Sequence, residues 1–455
     1  MTLRLVRGGE LSYHLLAFDE DGRPRRETAP SSAGGEVCEA AADPKKPITD
    51  VFIFSHGWLG DVRAAVRQYD SWLTAMDHPR DLTAAQRSRP DFRPLMVGLH
   101  WPSLPWGDER LHRGPALLSG DDGASNEFAS ENATDVDTLI DAYARRIADT
   151  PAGRTALRTI LSARPTAHVL LPQQVEDAYR VLFAESGLAC DGMSGAPGAD
   201  QDSFDPGETL AQSEELDRGT GPALLGGSVD RSLNLLRMPL RQLSFWKMKD
   251  RARRFGEGGA HRLLRELQEA APGARFHLMG HSFGCIVVSG AVSGPPDSSE
   301  RPRPVATLFL VQGALSLWAY ADHDGNPYQR ATPGYFRRLL ADRLVLGPVV
   351  TTRSTFDTAV GCFYPVGARL ARQKVLGAAL PKYGSIGSFG IQGVRGTVDI
   401  EMVNDRQYYD YAPGRVYNLE ASRVIRQGRG PAGAHSDIAH AAVAHAFWQA
   451  AARTE

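Results

Sequence analysis

The segment Arg275-Phe276-His277-Leu278-Met279-Gly280-His281-Ser282-Phe283-Gly284-Cys285-Ile286-Val287-Val288 constrains this chain more than any other stretch. A short apolar run ends at Gly280, and a small-residue, apolar run begins after Gly284. The five residues between fit the pattern G-x-S-x-G, in which a strand turns sharply into a helix. One serine then projects from the carboxyl end of the strand in a strained backbone conformation. The flanking glycines remove the Cβ atoms that would clash where strand and helix approach each other. The pentapeptide recurs by chance, so its weight comes from the strand before it and the helix after it.

Other parts of the chain read as the same kind of architecture. Val51-Phe52-Ile53-Phe54 is a continuous apolar run, as expected of a parallel strand buried on both faces, and it ends at Ser55-His56-Gly57-Trp58. Val62 to Met76 follows at helical spacing, with Ala65, Tyr69, Trp72 and Leu73 on one face. Leu95 to Leu99 is a further strand, closed by His100-Trp101-Pro102. Strand, helix, strand is the unit of a parallel α/β sheet. The first ~25 residues read as a β-hairpin, with Asp19-Glu20-Asp21-Gly22 as a turn, and the Ala-, Gly-, Pro- and Ser-rich residues 28–47 as a loop.

From about residue 107 the pattern changes. Three helical stripes follow, around Val136–Ile147 (opened by a capping-box-like Thr134 and Asp137), Pro151–Leu161 and Val175–Phe183. Residues 187–228 are acidic and poor in large apolar side chains, as expected of a mobile loop. The division expected is therefore 1–106 as the first part of an α/β core, 107–240 as a helical, lid-like insertion, and 241–455 as the second part of the core. Alternation resumes with a basic helix through Arg254, a helix carrying Leu263, Leu264 and Leu267, and the serine segment. Strands follow at Ala306–Val311, Val349–Thr352 and Val416–Leu419, and residues 376–396 read as an irregular loop. An alanine-rich helix follows Gly433-Ala434-His435-Ser436-Asp437.

Composition narrows the partners. The 51 basic and 53 acidic residues nearly cancel, so a nucleic acid or anionic membrane is not the expected partner. No apolar run approaches the ~18 residues of a membrane span. The amino-terminal residues lack the apolar core of a secretory signal. Cys38, Cys190, Cys285 and Cys362 are widely spaced, as expected of reduced structural thiols in a cytoplasmic protein. No HExxH or CxxC spacing calls for a metal, and Gly256, Gly258 and Gly259 lack the Lys-Ser/Thr of a phosphate loop. The run Lys247, Lys249, Arg251, Arg253, Arg254 is expected as the solvated face of an amphipathic helix.

A serine hydroxyl becomes a nucleophile only when a base takes its proton, and that base needs a third group to fix its tautomer. Ser282 is followed by Asp357, just past a strand, and by His435, in the loop before the last helix. In this order and context the chain resembles the α/β-hydrolase superfamily, on its lipase and esterase side, over roughly residues 48–102 and 245–450. The resemblance implies a mostly parallel central sheet flanked by helices, Ser282 as nucleophile, His435 as base and Asp357 as acid. It also implies an oxyanion hole from the main-chain amides of Trp58 and Phe283, with His56 and His281 as structural residues of the two turns. Asp322 and Asp324 follow the preceding strand, where some lipases carry the acid, and they stay open as alternatives. His440 and His445 are rivals for the base, but both fall on the alanine-rich helix, and Asp437 reads as helix N-terminal charge. His100 and Trp101 are placed to line the site.

The function implied is cleavage of a carboxylic ester, small or lipid, with no cofactor. A serine at the turn argues against the epoxide hydrolases and dehalogenases of the same fold, which use a carboxylate there. Thioesters and amides use the same machinery and stay open. A non-catalytic interaction protein of this fold is the competing class, and the complete Ser, Asp and His set speaks against it.

Overall fold

The structure is a computed structural model. It describes residues 3–6, 9, 11–25, 35–58, 62–77, 79–103, 136–163, 171–188, 193–199, 204–211, 238–296, 301–358, 380–428 and 433–453. Nine strands among them form one sheet: β1 (Leu3–Leu5), β2 (Ser12–Ala17), β3 (Asp50–Ser55), β4 (Pro94–His100), β5 (Arg275–His281), β6 (Thr307–Val311), β7 (Val349–Arg353), β8 (Val398–Glu401) and β9 (Val416–Glu420). Their order is β1-β2-β4-β3-β5-β6-β7-β9-β8, and every neighbouring pair is parallel except β1 with β2.

Both faces of this sheet are covered, which explains the continuous apolar runs. Along β3 every residue is buried; Val51 and Ile53 join one apolar cluster, and Phe52 and Phe54 join the other. The first cluster takes the helices Met238–Phe255, His261–Ala270 and Gly284–Ser293. The second takes Val62–Met76 and Ala441–Ala452, with Phe447 against Phe52, Phe54 and Phe309. The helices Val136–Arg146, Pro151–Ser162 and Gln173–Glu185 appear where the helical stripes predict them. Leu139, Leu157 and Tyr179 lie in the same cluster as Val51 and Leu278, so these helices share the core of the sheet. Thr150 caps the second of them, accepting the Gly153 amide at 3.0 Å. Thr134 and residues 107–135 lie outside the described residues.

Several elements differ from expectation for tertiary reasons. The antiparallel partner of β2 is the upstream β1, with Leu3 opposite His14, while the Asp19–Gly22 turn leads only to a bridge between Phe18 and Pro24. The other edge of β2 pairs parallel with β4, which recruits it into the main sheet. Residues 28–47 contain a helix, Gly35–Ala41, because Val37 and Ala41 lie one turn apart and are buried against the core. Strand β8 was not anticipated at all. Within 187–228, expected as a mobile loop, residues 193–199 are docked on the core: Asn326 Nδ2 donates to Ser194 Oγ at 2.6 Å and Tyr335 N to the Ser194 carbonyl at 2.9 Å. The basic run is a solvated face only in part: Arg254 is exposed, but Lys249 is not. Lys249 is 0% exposed, with its Nζ 4.8 Å from the Trp246 ring centroid, and Arg253 pairs with Asp250 and Glu257.

The amino-terminal ends of the strands are tied by one carboxylate. Asp50 opens β3 and is 0% exposed. It accepts from Arg89 Nη1 at 2.8 Å, Arg275 Nη2 at 2.8 Å, His277 Nε2 at 3.1 Å and Thr49 Oγ1 at 2.6 Å. Burial opposes its charge, but the bonds from His277 and Thr49 and the Arg275 charge together hold its carboxyl well below the usual range. Asp50→Ala is expected to destabilise the fold by about 2–3 kcal/mol, because His277 loses a buried partner and two guanidinium groups lose theirs. The measurement is the melting temperature by differential scanning fluorimetry; a change under ~1 °C would show that this knot carries no stability.

Candidate active site

The serine turn is fixed by close backbone packing. β5 ends at His281, the helix Gly284–Ser293 begins three residues later, and Ser282 between them has φ 56°. That is the left-handed region, costly for a residue with a side chain. A Cβ on Gly280 would stand 2.4 Å from the Gly284 carbonyl oxygen, and one on Gly284 would stand 2.2 Å from the Ser55 oxygen. Neither position has room for any other residue. Ser282 N donates to the Val311 carbonyl at 3.2 Å, and the Ser282 carbonyl accepts from Cys285 N at 3.1 Å and Ala314 N at 3.2 Å. These bonds tie the strained residue to the end of the neighbouring strand β6.

The sheet order explains why two turns meet here. β3 is flanked by β4 on one side and β5 on the other, so the chain leaves in opposite directions from two adjacent strands. Such a switch point opens a crevice beyond the carboxyl ends of the strands. Ser55 and Gly280 are in register, so the turn His56-Gly57-Trp58 and the turn at Ser282 lie side by side. A Cβ on Gly57 would stand 2.7 Å from Ser282 Cβ and 3.2 Å from its Oγ, so main chain lies directly against the hydroxyl. Phe283, at the N-cap of the helix after Ser282, donates its amide to no acceptor among the described residues. The Trp58 ring lies 5.8 Å from Phe283 and 5.9 Å from Phe245, whose own centroids are 5.1 Å apart. These three rings form an aromatic wall behind the two turns, with Phe245 and Phe283 buried in the core and Trp58 partly buried against it.

Asp357 and His435 come together across 78 positions of sequence. Asp357 forms a bridge with Gly433, and Ala434 N donates to the Phe356 carbonyl at 2.9 Å. This seats His435 Nδ1 2.9 Å from Asp357 Oδ2. The carboxylate accepts the hydrogen bond from Nδ1–H, which fixes the tautomer with the lone pair on Nε2. Asp322 and Asp324 are engaged elsewhere: Asp322 pairs with Arg337 at 2.6 Å, and the exposed Asp324 lies beside His323. Asp437 accepts from His440 and from the amides of Arg426 and Gln427, ahead of the final helix. Gln312, not singled out in the sequence, donates from Nε2 to Asp357 Oδ2 at 2.9 Å. The one clue to it in the sequence is its place immediately after β6.

His56, His100 and Trp101 do not line an open surface. They are buried behind the first turn, with the His56 ring stacked 5.7 Å from Trp101. His56 Nδ1 donates to the Gly57 carbonyl at 2.8 Å and Nε2 accepts from Trp101 N at 3.4 Å, so the ring is neutral and braces the turn. Burial, with the neighbouring His100, pushes its pKa down to about 3. His281 Nε2 donates to the His435 carbonyl at 3.0 Å, and its Nδ1 has no hydrogen-bond partner among the described residues. Burial first, then His435, holds this ring well below its usual value. Among the described residues no group of three or more His, Cys, Asp or Glu side chains is placed to hold a metal ion. A cavity of about 630 Å³ beside Asp322, Arg337, Arg395 and Arg415 adjoins the start of β9, at the opposite end of the sheet. No helix among the described residues is long and apolar enough to cross a membrane.

The two depressed histidines set an acid sensitivity. Both rings stay neutral when folded, whereas the unfolded chain takes up protons as the pH drops below the ordinary value of 6.5. Their contribution is therefore fully present above that value and is lost as the pH falls toward the folded value. The melting temperature is expected to decline over this window, and more gently in His56→Asn, which keeps a donor for the Gly57 carbonyl but cannot titrate. Parallel declines in the two proteins would show that His56 does not contribute.

Compared with known proteins, the chain matches no protein-family model, no curated protein and no solved structure.

Proposed function

We propose that this chain is a serine hydrolase of the α/β-hydrolase type, cleaving carboxylic esters through an acyl-enzyme on Ser282. The observation that carries the reading is the left-handed serine at a strand–helix turn, at the switch point of a parallel sheet. The contact of His435 with Asp357 supports it, because that contact leaves one imidazole nitrogen basic at the same end of the sheet.

In this mechanism Ser282 Oγ attacks the ester carbonyl carbon while its proton passes to His435 Nε2. Asp357 holds the opposite nitrogen and stabilises the imidazolium. The negative oxygen of the tetrahedral intermediate takes hydrogen bonds from the amides of Trp58 and Phe283, which need no reorganisation during the step. The intermediate collapses, the alkoxide leaves with the proton from His435, and a water activated by His435 then releases the acid and restores the serine. The aromatic wall of Trp58, Phe245 and Phe283 favours an apolar acyl group over a charged one.

Fluorophosphonate labelling of wild type and Ser282→Ala tests the nucleophile: only wild type is expected to react, and equal labelling of both would end the assignment. Asp357→Asn is expected to lower kcat by about 10⁴-fold, as for a triad acid, with Asp324→Asn within about twofold of wild type. The reverse pattern would move the acid to Asp324. Phe245→Ala widens the wall and is expected to raise the kcat/KM ratio of long over short acyl esters by about tenfold. An unchanged ratio would take the wall out of the acyl site.

A further inference from the structure

We infer that Gln312 is a positioning residue, which orients the Asp357 carboxylate and, through it, the imidazole of His435. The contacts are geometric facts; their consequence for catalysis rests on the hydrolase reading above. Gln312 is 0% exposed and directly follows β6. Its Nε2 donates to Asp357 Oδ2 at 2.9 Å and lies 3.3 Å from the Gly387 carbonyl. Both partners only accept, so the nitrogen of the amide must face them. The amide oxygen accepts from Thr352 Oγ1 at 2.9 Å, and Thr352 Oγ1 in turn accepts from Gln312 N at 3.0 Å. Thr352 lies on the next strand, β7, so the amide is clamped between two strands in one orientation.

Two independent features point the same way. Gln312 has φ 44°, and the non-glycine residues described with left-handed φ include only Ser282, Ala331 and Arg343 besides it. Two of these four thus follow the adjacent parallel strands β5 and β6, at the same rim of the sheet. Strain of this kind persists where the surroundings over-determine it. The second feature is shared use of one atom: Asp357 Oδ2 takes both the Gln312 and the His435 hydrogen bonds. A carboxylate held by one donor presents that oxygen to the second in a fixed direction, which an aspartate on a free rotamer would not.

The test compares Gln312→Ala and Gln312→Glu with wild type, with folding checked by near-ultraviolet circular dichroism. Alanine removes the donor, and kcat is expected to fall by about 10–100-fold with KM little changed. Glutamate keeps the shape and the contact to Thr352, but it can donate to Asp357 only while protonated. Asp357 and His435 are the other titratable groups in this chain of contacts, with His281 packed 4.9 Å from the His435 ring. The glutamate variant is therefore expected to lose activity progressively as pH rises, over a range where the alanine variant loses a constant factor. If both variants keep wild-type kcat, or both lose the same factor at every pH, Gln312 only fills space and the proposal fails. An activity-independent arm separates this from failure of the hydrolase reading. The downfield proton of His435 Nδ1, assigned by its loss in His435→Gln, is expected to shift or broaden in Gln312→Ala and to persist in Ser282→Ala. An unshifted proton overturns the positioning role even if the protein hydrolyses nothing.

Discussion

The constraint on which the site depends is the meeting of three pieces of main chain, the end of β3, the end of β5 and the start of the helix Gly284–Ser293. With the Ser55 oxygen 2.2 Å from where a Gly284 Cβ would stand, the helix enters at a distance that only glycine permits. The register that sets Ser55 opposite Gly280 follows from pairing along the whole of β3 and β5. Once helix and strands are that close, the chain has two residues in which to reverse, and Ser282 has to adopt a left-handed conformation. Strain on the order of 1–3 kcal/mol is stored there, offset by the three hydrogen bonds that hold the residue. The same proximity brings Gly57 against the serine hydroxyl, so the geometry of the two turns is one property rather than two.

Away from that point, the site depends on polar groups buried together. Thr352, Gln312, Asp357 and His435 form a chain of hydrogen bonds running from the carboxyl ends of β6 and β7 to the loop before the last helix. In a low-dielectric interior each link is strengthened by the others, and an unmade link is expensive. This makes the arrangement all-or-nothing: the loop 433–435 is held by its bridge to Asp357 and by the His281 bond to the His435 carbonyl. The histidine inside the serine turn thus positions the loop that carries the other histidine.

Much of this was legible in the sequence, and the boundary of legibility is physical. The apolar runs at Val51–Phe54 and Ala306–Val311 announce buried strands because both faces of the sheet are covered, and the glycines around Ser282 announce a close approach. Local pattern could not report Val37 and Ala41, whose helix forms because a neighbouring helix covers them. Nor could it report that Lys249 is buried, since a cation over an aromatic ring and a cation in water look alike in sequence. Asp357 and Asp324 both follow strands; what separates them is burial and a partner 78 positions away, neither of which has a periodicity. Gln312 offered nothing beyond its place after a strand for the same reason, its three contacts lying 40, 45 and 75 residues distant.

An aspartate–histidine contact by itself would not have chosen the site. Three buried pairs exist among the described residues: His277 with Asp50, His445 with Asp81 and His435 with Asp357. The difference lies in the second ring nitrogen. In His277 it lies 3.2 Å from Thr307 Oγ1, and in His445 it donates to the Gln407 carbonyl at 2.7 Å. Although burial opposes its charge, His445 has its proton held by Asp81 and that carbonyl, and its pKa is raised. A ring with both nitrogens committed can brace two elements but has no lone pair to offer. The second nitrogen of His435 makes no hydrogen bond among the described residues, and it alone of the three pairs stands at the carboxyl end of the strands. Availability of that nitrogen, rather than the presence of the carboxylate, is what distinguishes a base from a structural clamp.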